Sequence, residues 1–178
     1  MTTTRAAAPA RFVRAEDMRS LAHLLKRSGS CIESEIRGPS MGPTLPPGTR
    51  VRIRCGEDLT FEPGQIVAFL SEDRLIAHRL LGRGRHGRAR GFLLTRGDAT
   101  ALCDAPVTAT TVLGIVTGRL VGDEWGQVPP SPAPTPFTRA MQAIANLLLD
   151  VHPALARLFA LAAFRVRNSL LRLTHLST

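Results

Sequence analysis

Apolar positions along the chain first recur at helical spacing and then switch to strand-like alternation. Between Ala15 and Lys26, the residues Met18, Leu21, Ala22, Leu24 and Leu25 fall on one face of a predicted amphipathic helix, with Glu16 and Asp17 at its start and Gly29 just past its end. From Cys31 to about Thr117, short β-prone segments follow, separated by proline and glycine: CIESEIR, TRVRIRC, GQIVAFL, RLIAHRLL, GFLLTRG and TVLGIVTG. Pro47-Gly48 and Pro63-Gly64 each supply a fixed φ and then a residue tolerant of positive φ, as type II turns require, so each pair is predicted to introduce a strand. After Val128 the run PPSPAPTP imposes an extended, semi-rigid linker. Helical spacing returns over residues 137–173, broken or kinked at Pro153. Its long apolar face comprises Leu155, Leu158, Phe159, Ala162, Val166, Leu170 and Leu173, with Arg157, Arg165, Asn168 and Arg172 on the other side.

These patterns divide the 178 residues into a disordered lead-in (1–14), a mostly antiparallel β module opened by a short helix (15–128), a Pro-rich linker (129–136) and an amphipathic helical tail (137–178). The fold class expected is mainly β, as one folded unit. The run GRGRHGRARG (82–91) lies between two predicted strands and reads as a basic, solvated hairpin loop. It interleaves no aromatic residue to stack on bases, so no nucleic-acid partner is expected. For the cationic tail two readings stand: it lies on an anionic membrane surface, or it folds back over the module or pairs with another copy. Its longest uncharged stretch, between Arg157 and Arg165, is too short to span a bilayer.

Composition narrows the picture in three ways. Hydrophobic residues make up 44% and aromatic residues only 4%, with no tyrosine, so the core must be aliphatic. The formal charge is +9, carried by arginine with Lys26 as the only lysine; such a bias fits an anionic partner or a GC-rich coding sequence equally. Cys31, Cys55 and Cys103 are odd in number and widely spaced, which indicates neither a disulfide framework nor a zinc site. The histidines 23, 78, 86, 152 and 175 form no metal-ligand motif, so no metal and no cofactor is expected. Without a continuous apolar stretch near the N-terminus, the expected location is the cytoplasm, with peripheral attachment to a membrane as the open addition.

A serine hydroxyl is a poor nucleophile until a base takes its proton, so hydrolytic chemistry needs a serine on a tight bend, a base, and a group that orients the base. Ser40 follows Gly38-Pro39 directly after a predicted strand, which holds its hydroxyl out at a turn; an ordinary turn serine would look the same. His78 alternates onto one face with Ile76 and Leu80, where a half-buried structural histidine would also fit. Asp98 and Asp104 are both candidates to orient the imidazole. Asp98 also reads as a turn residue at Gly97-Asp98 that caps backbone amides.

Together these segments resemble a family. GPSMGPTLPPGTRVRI is similar to the nucleophile box of type I signal peptidases, GQIVAFLSEDRLIAHRLLG to their second box and LLTRGDATALCD to their acidic box. The resemblance is to the endoplasmic-reticulum and archaeal branch, which has histidine in a His-Arg context and two aspartates six apart. Here those are His78-Arg79, then Arg96-Gly97-Asp98, then Asp104. It covers residues 31–118. It implies a signal-peptidase-like fold of coiled antiparallel sheets, partly barrel-like, and a serine endopeptidase acting through an acyl-enzyme. By the same resemblance Ser40 is the nucleophile, His78 the general base and then acid, and Asp104 the orienting carboxylate, with Asp98 supporting the site or sharing that role. The oxyanion would meet the Ser40 backbone N–H, while the serine that many relatives carry two residues earlier is here Gly38. The implied partner is a peptide or precursor protein, bound as an added strand and cut after small residues. Two other classes stay open: a self-cleaving regulatory protease, although the lone lysine precedes the nucleophile, and a non-catalytic basic module binding membrane or nucleic acid.

Overall fold

The computed structural model describes residues 15–71, 74–85, 87 and 90–174, with side chains described between 20 and 166 of that set. The lead-in, His86, His175 and the side chains of Asn168, Leu170, Arg172 and Leu173 lie outside the described residues. Helix α1 (Ala15–Ser28) ends at Gly29, whose φ of 62° closes the turn. Eight strands follow: β1 (Cys31–Glu35), β2 (Arg50–Cys55), β3 (Ile66–Ser71), β4 (Arg74–Arg83), β5 (Phe92–Arg96), β6 (Val107–Thr108), β7 (Val112–Val121) and β8 (Glu124–Gly126). Helices α2 (Pro136–Val151) and α3 (Pro153–Thr174) complete the chain.

The strands form one sheet in the order β1-β2-β7-β3-β4-β5-β6, with β8 paired to β7, and every pairing of named strands is antiparallel. The fold is mainly β, and the sheet is open: its end strands β1 and β6 do not pair, so the barrel-like closure is not reached. The predicted turns lie where the sequence puts them, with Gly48 at φ 87° ahead of β2 and Gly64 at φ 96° ahead of β3.

Both faces of the sheet centre are covered, which is why β3 reads as a continuous apolar run rather than an alternation. Ile66 and Ala68 join Met41, Leu45, Val51, Ile53, Leu113 and Val116 on one face, against Ala22 and Leu25 of α1. Val67 and Phe69 join Leu80, Leu93 and Val112 on the other. Past a register shift between Leu80 and Gly82, Leu81 turns toward a third cluster that joins Leu94 and Cys103 to Ala145, Leu149 and Ala156 of the two C-terminal helices.

The tail therefore folds back on the module. Thr135 caps α2, its Oγ1 accepting from the Thr138 amide at 3.1 Å, and the expected break comes at His152, extended at φ −165° and ψ 130° before Pro153. Arg85, in the basic loop, donates through Nη2 to Asp150 of α2 at 2.9 Å. The packed side of α3 differs from the expected apolar face. Ala156 and Ala160 are buried, whereas Leu155, Leu158 and Val166 are exposed, and among the described side chains of that face only Phe159 reaches the third cluster. Small side chains let α3 approach α2 closely, and most of the bulky ones are left outward.

Candidate active site

Ser40 lies in a short 3-10 turn, Pro39–Met41, in the connection between β1 and β2. A proline at the first turn fixes the entry and Met41, 1% exposed, plugs into the core, so the seryl side chain between them has no freedom to swing with the loop. The turn is held from outside as well. The Ala99 amide donates to the Ser40 carbonyl at 2.8 Å, and Gly97 lies so close that a β-carbon there would meet that carbonyl oxygen and stand 3.0 Å from the Ser40 Cβ.

His78 sits in the middle of β4, between β3 and β5, with Phe69 edge-on at 6.2 Å between ring centroids. Its Nε2 is 2.9 Å from Ser40 Oγ and its Nδ1 is 2.6 Å from Asp104 Oδ2. An ionised Asp104 can only accept, so the Nδ1–H donates to it, Nε2 presents its lone pair, and the Ser40 hydroxyl donates to Nε2. Thr95 of β5 donates through Oγ1 to the same Asp104 Oδ2 at 2.7 Å, and the Asp104 amide donates to the Thr95 carbonyl at 2.8 Å. The Thr95 hydroxyl thus holds the carboxylate and the Thr95 carbonyl holds the backbone that carries it.

Asp98 is placed elsewhere. Its Oδ1 accepts from Arg79 Nε at 3.2 Å, and its Oδ2 accepts from Arg79 Nη2 and from Thr44 Oγ1, both at 2.6 Å. The carboxylate thus meets side chains, where the sequence suggested a cap on backbone amides; the fork geometry of the guanidinium outcompetes local amides for both oxygens. Arg79 also donates to the carbonyls of Gly64 at 2.8 Å and Pro129 at 3.4 Å, which ties the start of the linker to the site. Because successive residues of a strand face opposite ways, the two aspartates serve the two successive residues His78 and Arg79.

Three site residues escaped the sequence reading: Arg79 as the partner of Asp98, and Thr44 and Thr95 as the donors that orient the two carboxylates. For Arg79 a signal existed, since alternation sets it on a face with Leu75 and Ala77, where a cation requires a carboxylate. Next to Asp104, burial pushes the Cys103 thiol up to about 11; the charge of Arg96 lowers it and that of Asp104 raises it further. At Gly38, φ −97° and ψ 159° suit any residue, and a β-carbon there would meet nothing within 4 Å. No family model and no curated protein matches the chain, so its functional reading rests on these residues and distances.

Proposed function

We propose that the chain is a serine endopeptidase of the signal-peptidase type, with Ser40 as nucleophile, His78 as general base and Asp104 as the carboxylate that orients it. The observation that carries the reading is the continuous hydrogen-bonded relay from Ser40 Oγ through both imidazole nitrogens to Asp104 Oδ2. Such a relay activates a hydroxyl: Ser40 Oγ attacks a peptide carbonyl as Nε2 takes its proton, and Asp104 stabilises the imidazolium that forms. His78 then returns the proton to the leaving amine, leaving an acyl ester on Ser40. Water activated by the same imidazole releases the acid and restores the serine. The signal-peptidase-like fold, and cleavage after small residues with substrate added as a strand, extend the resemblance of the three motifs. The mainly antiparallel open sheet is compatible with them.

The test is cleavage of a peptide panel containing Ala-x-Ala by the native chain, Ser40→Ala and His78→Ala, followed by mass spectrometry. Cleavage by the native chain and its loss in both variants is the expected result. Cleavage that survives Ser40→Ala removes the nucleophile assignment.

A further inference from the structure

Helices α2 and α3 keep a large apolar surface outside the core they help to build. Phe137, Leu147 and Val151 of α2 and Leu158 of α3 are between 60% and 66% exposed, and Ile144, Leu155, Leu161, Phe164 and Val166 are exposed beside them. On α2 the residues 137, 144, 147 and 151 recur at helical spacing, opposite the buried Thr138, Ala145 and Leu149. Scattered exposed leucines are ordinary, but two adjoining helices that both turn such a stripe outward form a surface with a use.

Charge decides among the possible occupants. Along α3 there is no acidic residue, and the exposed Arg157 and Arg165 are interspersed among its exposed apolar residues. The single acidic residue of α2, Asp150, is engaged by Arg85. An apolar surface that also carries arginines and no acidic residue along α3 matches a partner with an apolar interior and a negative skin. A second copy of the chain would set these arginines near one another in a two-fold contact. No helix among the described residues is long and apolar enough to cross a membrane, so the fitting geometry is one lying in the interface, with arginine stems reaching along the apolar face to the headgroups.

We infer that the α2–α3 unit docks the protein on an anionic lipid surface through Phe137, Ile144, Leu147, Val151, Leu155 and Leu158, with Arg157 and Arg165 supplying the charge. The inference does not depend on the peptidase reading.

Flotation of the full chain with vesicles of phosphatidylglycerol and phosphatidylcholine in equal parts, against phosphatidylcholine alone, tests it. The chain is expected to float with the anionic vesicles. A Leu147→Gln and Leu158→Gln double variant should stay in solution, and Arg157→Gln with Arg165→Gln should bind roughly thirtyfold more weakly. All four side chains are exposed, so unchanged melting of the variants is expected. If the leucine variant melts early, Phe137→Ser with Val151→Ser on α2 takes its place. Failure of the native chain to float, or flotation unaffected by the leucine changes, overturns the inference. So does a concentration-dependent dimer in sedimentation that the leucine changes abolish while flotation is absent, because the face then belongs to a second copy.

Discussion

His78 and Arg79 are consecutive on β4, and each is held by an aspartate from the connection that follows β5, yet the two pairs live in different surroundings. The side chains of His78 and Asp104 are 12% and 29% exposed, while those of Arg79 and Asp98 are 4% and 0%. A general base must exchange its proton with a reacting group and so needs a path outward. Arg79 never gives up its proton, and sealed against Asp98 it holds the turn carrying Asp98 to the strand carrying His78. Thr44 binds the Ser40 loop into the same knot. On the proposed peptidase reading, one pair carries the chemistry and the other holds the geometry that chemistry needs.

The largest effect that sharpens this contrast is on the open side. Asp104→Asn leaves the shape of the site and removes the acceptor that fixes the imidazole tautomer, so cleavage should fall roughly ten-thousandfold in kcat. Its midpoint in urea should move little, because Asp104 is partly solvated. If Asp104→Asn instead unfolds the chain while cleavage by the folded fraction persists, the division of labour between the two aspartates is reversed.

Asp98→Asn is the converse experiment. It strips the charge from a fully buried ion pair and leaves the guanidinium uncompensated, at a cost of about 3–5 kcal/mol in unfolding free energy. Denaturant titration reads that loss directly. Replacing both partners, as Arg79→Met with Asp98→Leu, should recover much of it, since an apolar pair of similar volume needs no desolvation of charge. A single Asp98→Asn change that costs less than about 1 kcal/mol would show that water reaches the pair, and the contrast would lose its basis.

Between the two sides stands Gly97, whose close approach to Ser40 requires the absence of a β-carbon. In Gly97→Ala the added methyl meets backbone, which cannot rotate away, so the Ser40 turn must shift. A displacement of that size should lower kcat on the order of a hundredfold, with a smaller loss of stability. Kinetics measured alongside thermal melting separates the two.

Much of this was legible in the sequence, for reasons that differ by residue. The longer strands announced themselves through proline and glycine punctuation and β-branched runs. Val107–Thr108 and Glu124–Gly126 did not, because two or three residues are too few to show a period. Ser40, His78 and Asp104 could be named, but the choice of Asp104 over Asp98 came from resemblance. Alternation places Arg79 toward the core without saying which carboxylate meets it. The tail is a different case. Its apolar stripe is plain in the sequence, but periodicity leaves open whether that stripe packs or meets a membrane; in the structure the small Ala156 and Ala160 pack, while Leu155, Leu158 and Val166 of the stripe stay outside. Hydrophobic periodicity records which faces are apolar, and close packing selects by size.

The smallest effect concerns Cys103, which borders Asp104 on the chain and packs with Leu94 and Leu149. Its thiol is raised from 9.0 to about 11, chiefly by burial. The sign follows from linkage: with the folded value above the unfolded one, the contribution to stability is complete below pH 9 and is lost progressively as pH rises toward 11. The loss amounts to about 2 kcal/mol across that window. With no tyrosine and one lysine, little else titrates there besides the other cysteines, which are common to any variant made at position 103. Cys103→Ala should therefore start lower near neutral pH, because it leaves a small void, and then decline less steeply between pH 9 and 11. Parallel curves for the two proteins, measured by urea unfolding across that range, would mean that water reaches the thiol, and with it the seam between the sheet and the C-terminal helices.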